Sequence, residues 1–311
     1  MILILTRGGK VLDNITIIIL TFNEELNIEK CLTEAVKLTK KIVIVDSYSN
    51  DKTLDICAKY DCRLYQHKFT NQALQLNWAL ENVEIDTEWV FRLDADEYLT
   101  DKLLEEFLKK IEHLSNNITG IYLRRRIYFM GKWIKHGGIY PTLILRVWRN
   151  KKAICEERWM DEHMMILEGE TITFNYDFVD DNSKDMSFWI NKHNNYASRE
   201  AFEQLNDKYE LNELNVVALK LFGSQEERKK YIKKNIYNRV PAPFRSLFYF
   251  LYRYILKLGF LDGFKGWVYH FMESFWYRFL VDIKSYEIER EARRSKISVR
   301  SVIKSKRLNK V

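Results

Sequence analysis

Regular patterning begins at Ile15-Thr16-Ile17-Ile18-Ile19-Leu20, a β-branched run bounded by polar residues and too short to span a membrane. Such a run predicts a parallel strand buried on both faces. After Thr21-Phe22-Asn23-Glu24, the apolar positions Ile28, Cys31, Leu32, Ala35 and Val36 recur at helical spacing. The strand signal returns over 42–45 and ends at Asp46, and Asp51 can cap a helix carrying Leu54, Ile56, Cys57 and Ala58. Residues 62–65 read as a weaker strand, 73–80 as a helix, and 89–93 as a strand ending at Asp94. Repeated strand–helix alternation within the first hundred residues calls for right-handed crossovers and a parallel sheet. Ligands on such sheets bind at the carboxyl ends of strands. The segments 21–24, 46–51 and 94–97, all bearing carboxylates, fall at those ends.

Composition narrows the class. The 311 residues are 47% hydrophobic and 30% charged, which excludes a disordered chain, and 3 Pro with 11 Gly leave no room for a low-complexity linker. Four cysteines without a C-x-x-C pair, and no stretch at the start that reads as a secretory signal, predict reduced thiols in a cytosolic setting. The net charge of +7 is unevenly spread: residues 241–311 hold 15 basic and 6 acidic residues, whereas residues 1–240 hold 35 and 37. A near-neutral body therefore carries a basic tail.

No glycine-rich loop follows the first strand, so the dinucleotide fingerprint and the P-loop are both absent. A phosphate-bearing ligand at this edge would meet a metal, helix N-termini or basic side chains instead. Asp94-Ala95-Asp96 places two carboxylates on alternate residues as a strand ends, where both can face one ligand. Hard oxygen donors suit Mg²⁺ or Mn²⁺, which complete their shells with substrate phosphates. A solvated turn is the alternative for such a pair taken alone. Asp46 can accept hydrogen bonds from a base or ribose, while Asp51, Thr21 and Glu24 can equally serve as helix caps.

Taken together, Thr21-Phe22-Asn23-Glu24-Glu25, the segment Val45, Asp46, Ser47, Ser49, Asp51 and Thr53, and Arg92-Leu93-Asp94-Ala95-Asp96-Glu97 resemble the nucleotide-sugar half of glycosyltransferase family 2. The resemblance extends through residues 131–138, 158–163, 258–263 and 277–280, which look like the bacterial branch of lipopolysaccharide inner-core β-glucosyltransferases. It implies an α/β fold of GT-A type, a Rossmann-like mixed sheet flanked by helices, over residues 1–235. A C-terminal helical, membrane-associating extension would then occupy 236–311. It implies that Asp46 binds uracil, that Thr21 and Glu24 are nucleotide contacts of the first loop, and that Asn77 is the helix polar residue near the nucleotide. Asp94 matches the acid near ribose and metal, and Asp96 the main ligand of a divalent cation, Mn²⁺ or Mg²⁺. His163 can touch that metal or the diphosphate, though a histidine in a polar turn explains it equally well. Inverting transfer needs a base to deprotonate the acceptor hydroxyl, and Asp161-Glu162 resembles the acidic acceptor-side motif, with Asp161 favoured. His136-Gly137-Gly138 offers an acceptor sugar close approach to backbone, though a plain turn explains the glycines as well. Arg124-Arg125-Arg126, if on a strand, presents at most two side chains to one ligand.

Residues 241–281 hold 15 of the 44 aromatic residues. Trp267, Phe271, Phe275 and Phe279 recur every four positions, and Phe244, Phe248, Leu251, Tyr252 and Ile255 form a second stripe. Interleaved basic residues suit the interface of an anionic bilayer, and charges interrupt every run long enough to cross one. The expectation is an enzyme peripheral on the inner face of the cytoplasmic membrane, moving a hexose from a UDP-sugar to a lipid-linked glycan, with no nucleic acid as partner. A polyprenyl-phosphate sugar synthase, a nucleotidyltransferase and an RNA-binding module resting on the tail are the alternatives.

Overall fold

The structure is a computed structural model that describes residues 11–156, 163–209 and 240–308. The expected base pair Asp161 and Glu162, and most of the charged 206–237 segment, lie outside the described residues. The chain divides into two compact units, one of residues up to 135 together with 139–184, the other of 136–138 together with 185 onward.

The first unit is built on strand–helix alternation. It runs β1 (Ile15–Thr21), α1 (Ile28–Leu38), β2 (Ile42–Asp46), α2 (Thr53–Cys57), β3 (Arg63–Gln66), α3 (Gln72–Asn82) and β4 (Trp89–Asp94). After β5 (Glu97–Leu99) and α4 (Asp101–Lys110) come β6 (Ile118–Phe129), β7 (Lys132–Ile134), β8 (Thr142–Arg149), β9 (Ala153–Cys155), β10 (Met164–Ile166) and β11 (Glu170–Asp181). The apolar run of β1 explains itself by period two. Ile15, Ile17 and Ile19 enter a core with Ile28, Leu32 and Ala35 of α1, while Ile18 joins Ala73, Leu76 and Ala79 of α3 on the opposite face. Each fully buried Ile or Leu among them stabilises the fold by about 1.5–3 kcal/mol.

The main sheet has strand order β3-β2-β1-β4-β8-β6-β11-β5, with β7 paired to β6. The strands β3, β2, β1 and β4 are parallel, as alternation predicts. Beyond β4 the sheet is mixed: β8 runs antiparallel to both β4 and β6, and β11 runs parallel to β6. Only Ala95 and Asp96 separate β4 from β5, yet β5 pairs with β11 at the far end of the strand order. The sheet therefore curls back so that the end of β11 approaches the acidic turn between β4 and β5.

The second unit is helical. It contains α5 (Met186–Lys208), α6 (Ala242–Leu251), π-helical turns over Tyr252–Leu256 and Phe271–Trp276, and a 3₁₀ turn over Gly259–Asp262. Then follow α7 (Gly263–His270), α8 (Tyr277–Ser295) and α9 (Val299–Leu308). Its core joins Phe202 and Leu205 of α5 to Ile288 and Ala292 of α8 and Val302 and Ile303 of α9.

Candidate active site

The strands β1, β2 and β4 end side by side, with Thr21 opposite Asp46 and Leu20 opposite Asp94. The three acidic segments of the sequence therefore leave from one sheet edge. Asp46 is fully buried. Its carboxylate accepts from Thr21 Oγ1 at 2.9 Å, from the Ser49 amide at 2.8 Å and from Ser49 Oγ at 2.5 Å. The loops after β1 and β2 are stitched together further: the Asn23 amide donates to Ser49 Oγ at 2.8 Å, and the Glu24 amide to Thr53 Oγ1 at 2.7 Å. Asp51 accepts from the Thr53 amide at 2.9 Å but stands one residue before the N-cap of α2, Lys52, so it does not cap the helix as expected, and Thr21 is engaged by Asp46 rather than by a helix. Phe22 and Tyr48 are exposed on these two loops.

Asp94 is held by two guanidinium groups. Arg92 Nε donates to Oδ1 at 3.2 Å and Arg146 Nη2 to Oδ2 at 3.1 Å, while Gln72 of α3 adds a longer bond to Oδ1 at 3.4 Å. Burial works to raise the Asp94 carboxyl, but Arg146 and Arg92 overcome it and hold the group well below the usual carboxylate range. Glu97 shares Arg146 and also accepts from the Asp94 amide at 2.9 Å. Its burial, reinforced by Asp94, Asp180 and Asp96 against the pull of Arg146, pushes its carboxyl up to about 8. Arg146 belongs to none of the motifs above, and Glu97 enters there only as the end of the segment 94–97. The available signal was a lone arginine between Leu145 and Val147 on an apolar strand, which burial obliges to find a carboxylate.

Asp96 sits at the turn with only one oxygen engaged. Asn182 Nδ2 donates to Oδ2 at 2.8 Å, and among the described residues Oδ1 accepts no hydrogen bond. Glu24 lies on the same edge, bonded to Lys184 Nζ and Asn27 Nδ2, each at 2.7 Å. Burial raises its carboxyl against those two partners, with Asp96 adding to the rise. Among the described residues no three His, Cys, Asp or Glu side chains form a ready-made metal cage. The donor set fits a hard divalent cation held by Asp96 and completed by a bound diphosphate, which is how Mg²⁺ is commonly bound.

Asn77 exchanges two hydrogen bonds with the backbone of Cys155, donating at 2.9 Å and accepting at 3.1 Å, so its amide ties α3 to β9. His163 precedes β10, and its carbonyl accepts from the Glu156 amide at 2.9 Å. His136, Gly137 and Gly138 belong to the helical unit. Asp262 accepts from the His136 amide and bonds its Nδ1, both at 2.8 Å. Gly137 (φ +72°) lies against buried His270, whose Cε1 would be 2.0 Å from an added Cβ. Arg124, Arg125 and Arg126 do alternate along β6, with Arg126 Nε on Asp177 at 2.7 Å and Arg125 on Asp180 at 3.4 Å.

Residues 16–165, which include Asp46, Asp94 and Asp96, match the sequence profile described as glycosyl transferase family 2. This stretch, about half of the chain, is what resembles family 2. The lipopolysaccharide core biosynthesis glycosyltransferase LpsC of Rhizobium meliloti is 34% identical over 140 residues, covering 43% of this chain and 50% of that protein. An uncharacterized glycosyltransferase of Rickettsia conorii is 28% identical over 94 residues, 30% of this chain and 33% of the relative. The chain thus spans half or less of the length of these two relatives. A crystal structure of S. aureus TarS 1-349 in complex with UDP-GlcNAc aligns with 91% of this chain and 92% of that one, at 16% identity and a TM-score of 0.40.

Proposed function

We propose that this protein is an inverting, metal-dependent glycosyltransferase. It moves a hexose from a UDP-sugar, UDP-glucose favoured, to a hydroxyl of a lipid-linked glycan in lipopolysaccharide core, capsule or exopolysaccharide synthesis, forming a β-linkage. The observation that carries this reading is the alignment of Thr21, Asp46 and Asp94 on adjacent strand ends of the stretch that resembles family 2, with an uncommitted oxygen on Asp96 beside them. Asp96 would hold Mn²⁺ or Mg²⁺, with Asp94 as the ribose-side acid and His163 as a contact of the metal or diphosphate. The bound ion supplies Lewis-acid stabilisation of the leaving nucleoside diphosphate. Asp46 orders the loop of residues 47–53 against the base, Thr21 and Glu24 shape the first loop, and exposed Phe22 and Tyr48 offer flat faces to it. Asn77 acts by fixing Cys155, from which the chain leads to Asp161 and Glu162. Asp161 takes the proton of the acceptor hydroxyl as its oxygen bonds to the sugar carbon and the nucleoside diphosphate departs with the bonding pair. His136, Gly137 and Gly138 receive the acceptor. The catalytic domain lies within 1–235, and 236–311 keeps the protein peripheral on the inner face of the cytoplasmic membrane.

The experiment is nucleoside diphosphate release by the purified protein in detergent with Mn²⁺, across UDP-, GDP- and dTDP-sugars and a lipid-linked glycan acceptor. Release from one UDP-sugar that requires the metal and vanishes in Asp96→Ala is the expected result. Full activity of Asp96→Ala would overturn the metal role. Transfer to undecaprenyl phosphate without a sugar acceptor would select a polyprenyl-phosphate sugar synthase instead.

A further inference from the structure

The polarity of the helical unit between Ala242 and His270 is inverted. Phe244, Phe248, Ile255, Leu256, Leu261 and Phe264 are exposed, Leu256 and Phe264 at 73% each. Arg245, Ser246, Arg253, Asp262 and His270 of the same segment are buried. Three of these find partners inside the unit. Arg245 forks onto Asp282, with Nε 2.7 Å from Oδ2; Arg253 Nε donates to the Gly137 carbonyl at 2.9 Å; and Asp262 holds His136. In water each large apolar side chain left exposed forgoes about 1.5–3 kcal/mol of burial, so this arrangement is the unfavourable one there. In hydrocarbon it is the favourable one, because polar groups must be satisfied internally while apolar faces turn outward.

Charge on this surface selects the occupant. Between residues 241 and 268 Asp262 is the sole acid, and it is buried against His136. Lys257 is exposed, its Nζ 5.6 Å from the Tyr252 ring, and Lys265 lies farther along the same segment. An apolar face edged by cations complements the interface of an anionic leaflet. The segment does not cross a bilayer, since among the described residues no helix is long and apolar enough to do so. Instead α6 and its π-helical turn end at left-handed Leu258 (φ +61°), and the 3₁₀ turn leads directly into α7.

We propose that this helix–turn–helix surface inserts into one leaflet of an anionic bilayer through Phe248, Leu256, Leu261 and Phe264, with Lys257 at headgroup level. The inference rests on the membrane reading above and deepens it by naming the anchor: apolar insertion of 244–267, not charge on the tail of 282–311. The test is flotation of the full-length protein with vesicles of phosphatidylcholine alone or mixed with phosphatidylglycerol, at low and high salt. Wild type is expected to float with the mixed vesicles at both salt concentrations. The Leu256→Glu/Phe264→Glu double variant should bind about tenfold more weakly with an unchanged Tm, since both side chains are exposed. Quenching of Trp267 by brominated lipid, read as the difference from Trp267→Phe, gives a second, mutation-light measure of insertion. A double variant that floats like wild type would overturn the surface assignment and leave the membrane reading standing. So would wild-type flotation that high salt abolishes, which points to the tail. Loss of a dimer in the double variant without lipid would show that a second copy covers this face, and would overturn it too. Wild type that floats with no vesicle overturns both readings.

Discussion

Arg146 Nη2 lies 3.1 Å from Asp94 Oδ2, joining the antiparallel strand β8 to the carboxylate at the end of the parallel strand β4. The same guanidinium also holds Glu97, so one buried cation organises two acids beside the proposed metal ligand. Arg146→Met should therefore destabilise by about 3–5 kcal/mol, because it removes the guanidinium partner of buried Glu97 and one of the two that hold Asp94. Urea unfolding of the two proteins measures the difference, and a change below 1 kcal/mol would show that the pair is of no more consequence than a surface one.

Glu97→Gln should behave oppositely. The Glu97 carboxyl is pushed up to about 8, so the folded state binds a proton that the unfolded state has released above its ordinary 4.5. By linkage this group makes stability fall as pH rises from about 4.5 to 8. The amide cannot titrate, so the variant should lose that part of the slope. Unfolding free energies of both proteins at pH 5 and pH 8, about the ends of that window, give the comparison.

Substitutions at Asp96 and Asp46 should separate chemistry from architecture. Asp96→Asn removes a carboxylate with an unengaged oxygen, and should cost about 100-fold in transfer with little change in Tm. Asp46→Ala leaves the Thr21 hydroxyl and the Ser49 amide and hydroxyl without their acceptor, and should cost roughly 2–4 kcal/mol of stability. Equal loss of Tm in both would refute the distinction.

Two glycines with the same sign of φ should respond differently. Gly131 (φ +70°) has no heavy atom within 4 Å of an added Cβ, so Gly131→Ala should cost only the left-handed penalty of about 1 kcal/mol. Gly137→Ala meets the His270 ring and should disrupt packing of the helical unit, visible as a lower Tm and faster proteolysis between α6 and α8.

His270 should make the protein acid-sensitive. Burial and Arg253 lower its imidazole to about 4, with His136 acting the same way and Asp262 and Glu273 opposing. The unfolded chain takes up this proton near 6.5, so stability falls as pH drops from about 6.5 to 4, by roughly 3 kcal/mol at most. His270→Phe should flatten thermal unfolding across that window, and an unchanged pH slope would remove His270 from the explanation.

Much of the first unit was legible in the chain. Strand β1 and helix α1 declare themselves through the spacing of Ile15, Ile17, Ile19, Ile28, Leu32 and Ala35, because periodicity is a local property that burial on a flat or helical surface imposes directly. The meeting of Thr21, Asp46 and Asp94 followed from alternation alone, since right-handed crossovers bring parallel strand ends to one edge. What no local pattern carried was pairing across distance. Residue order says nothing of β8 inserting antiparallel beside β4, so Arg146 reached Asp94 unannounced. For the same reason no local pattern announces that the Asn77 amide bonds the backbone of Cys155, 78 positions away. The aromatic stripes were visible as helices, but a stripe has the same spacing whichever way it faces. Only packing decided that Arg245, Arg253 and Asp262 turn inward, where they can neutralise or hydrogen-bond one another's surroundings, and that Leu256 and Phe264 turn out.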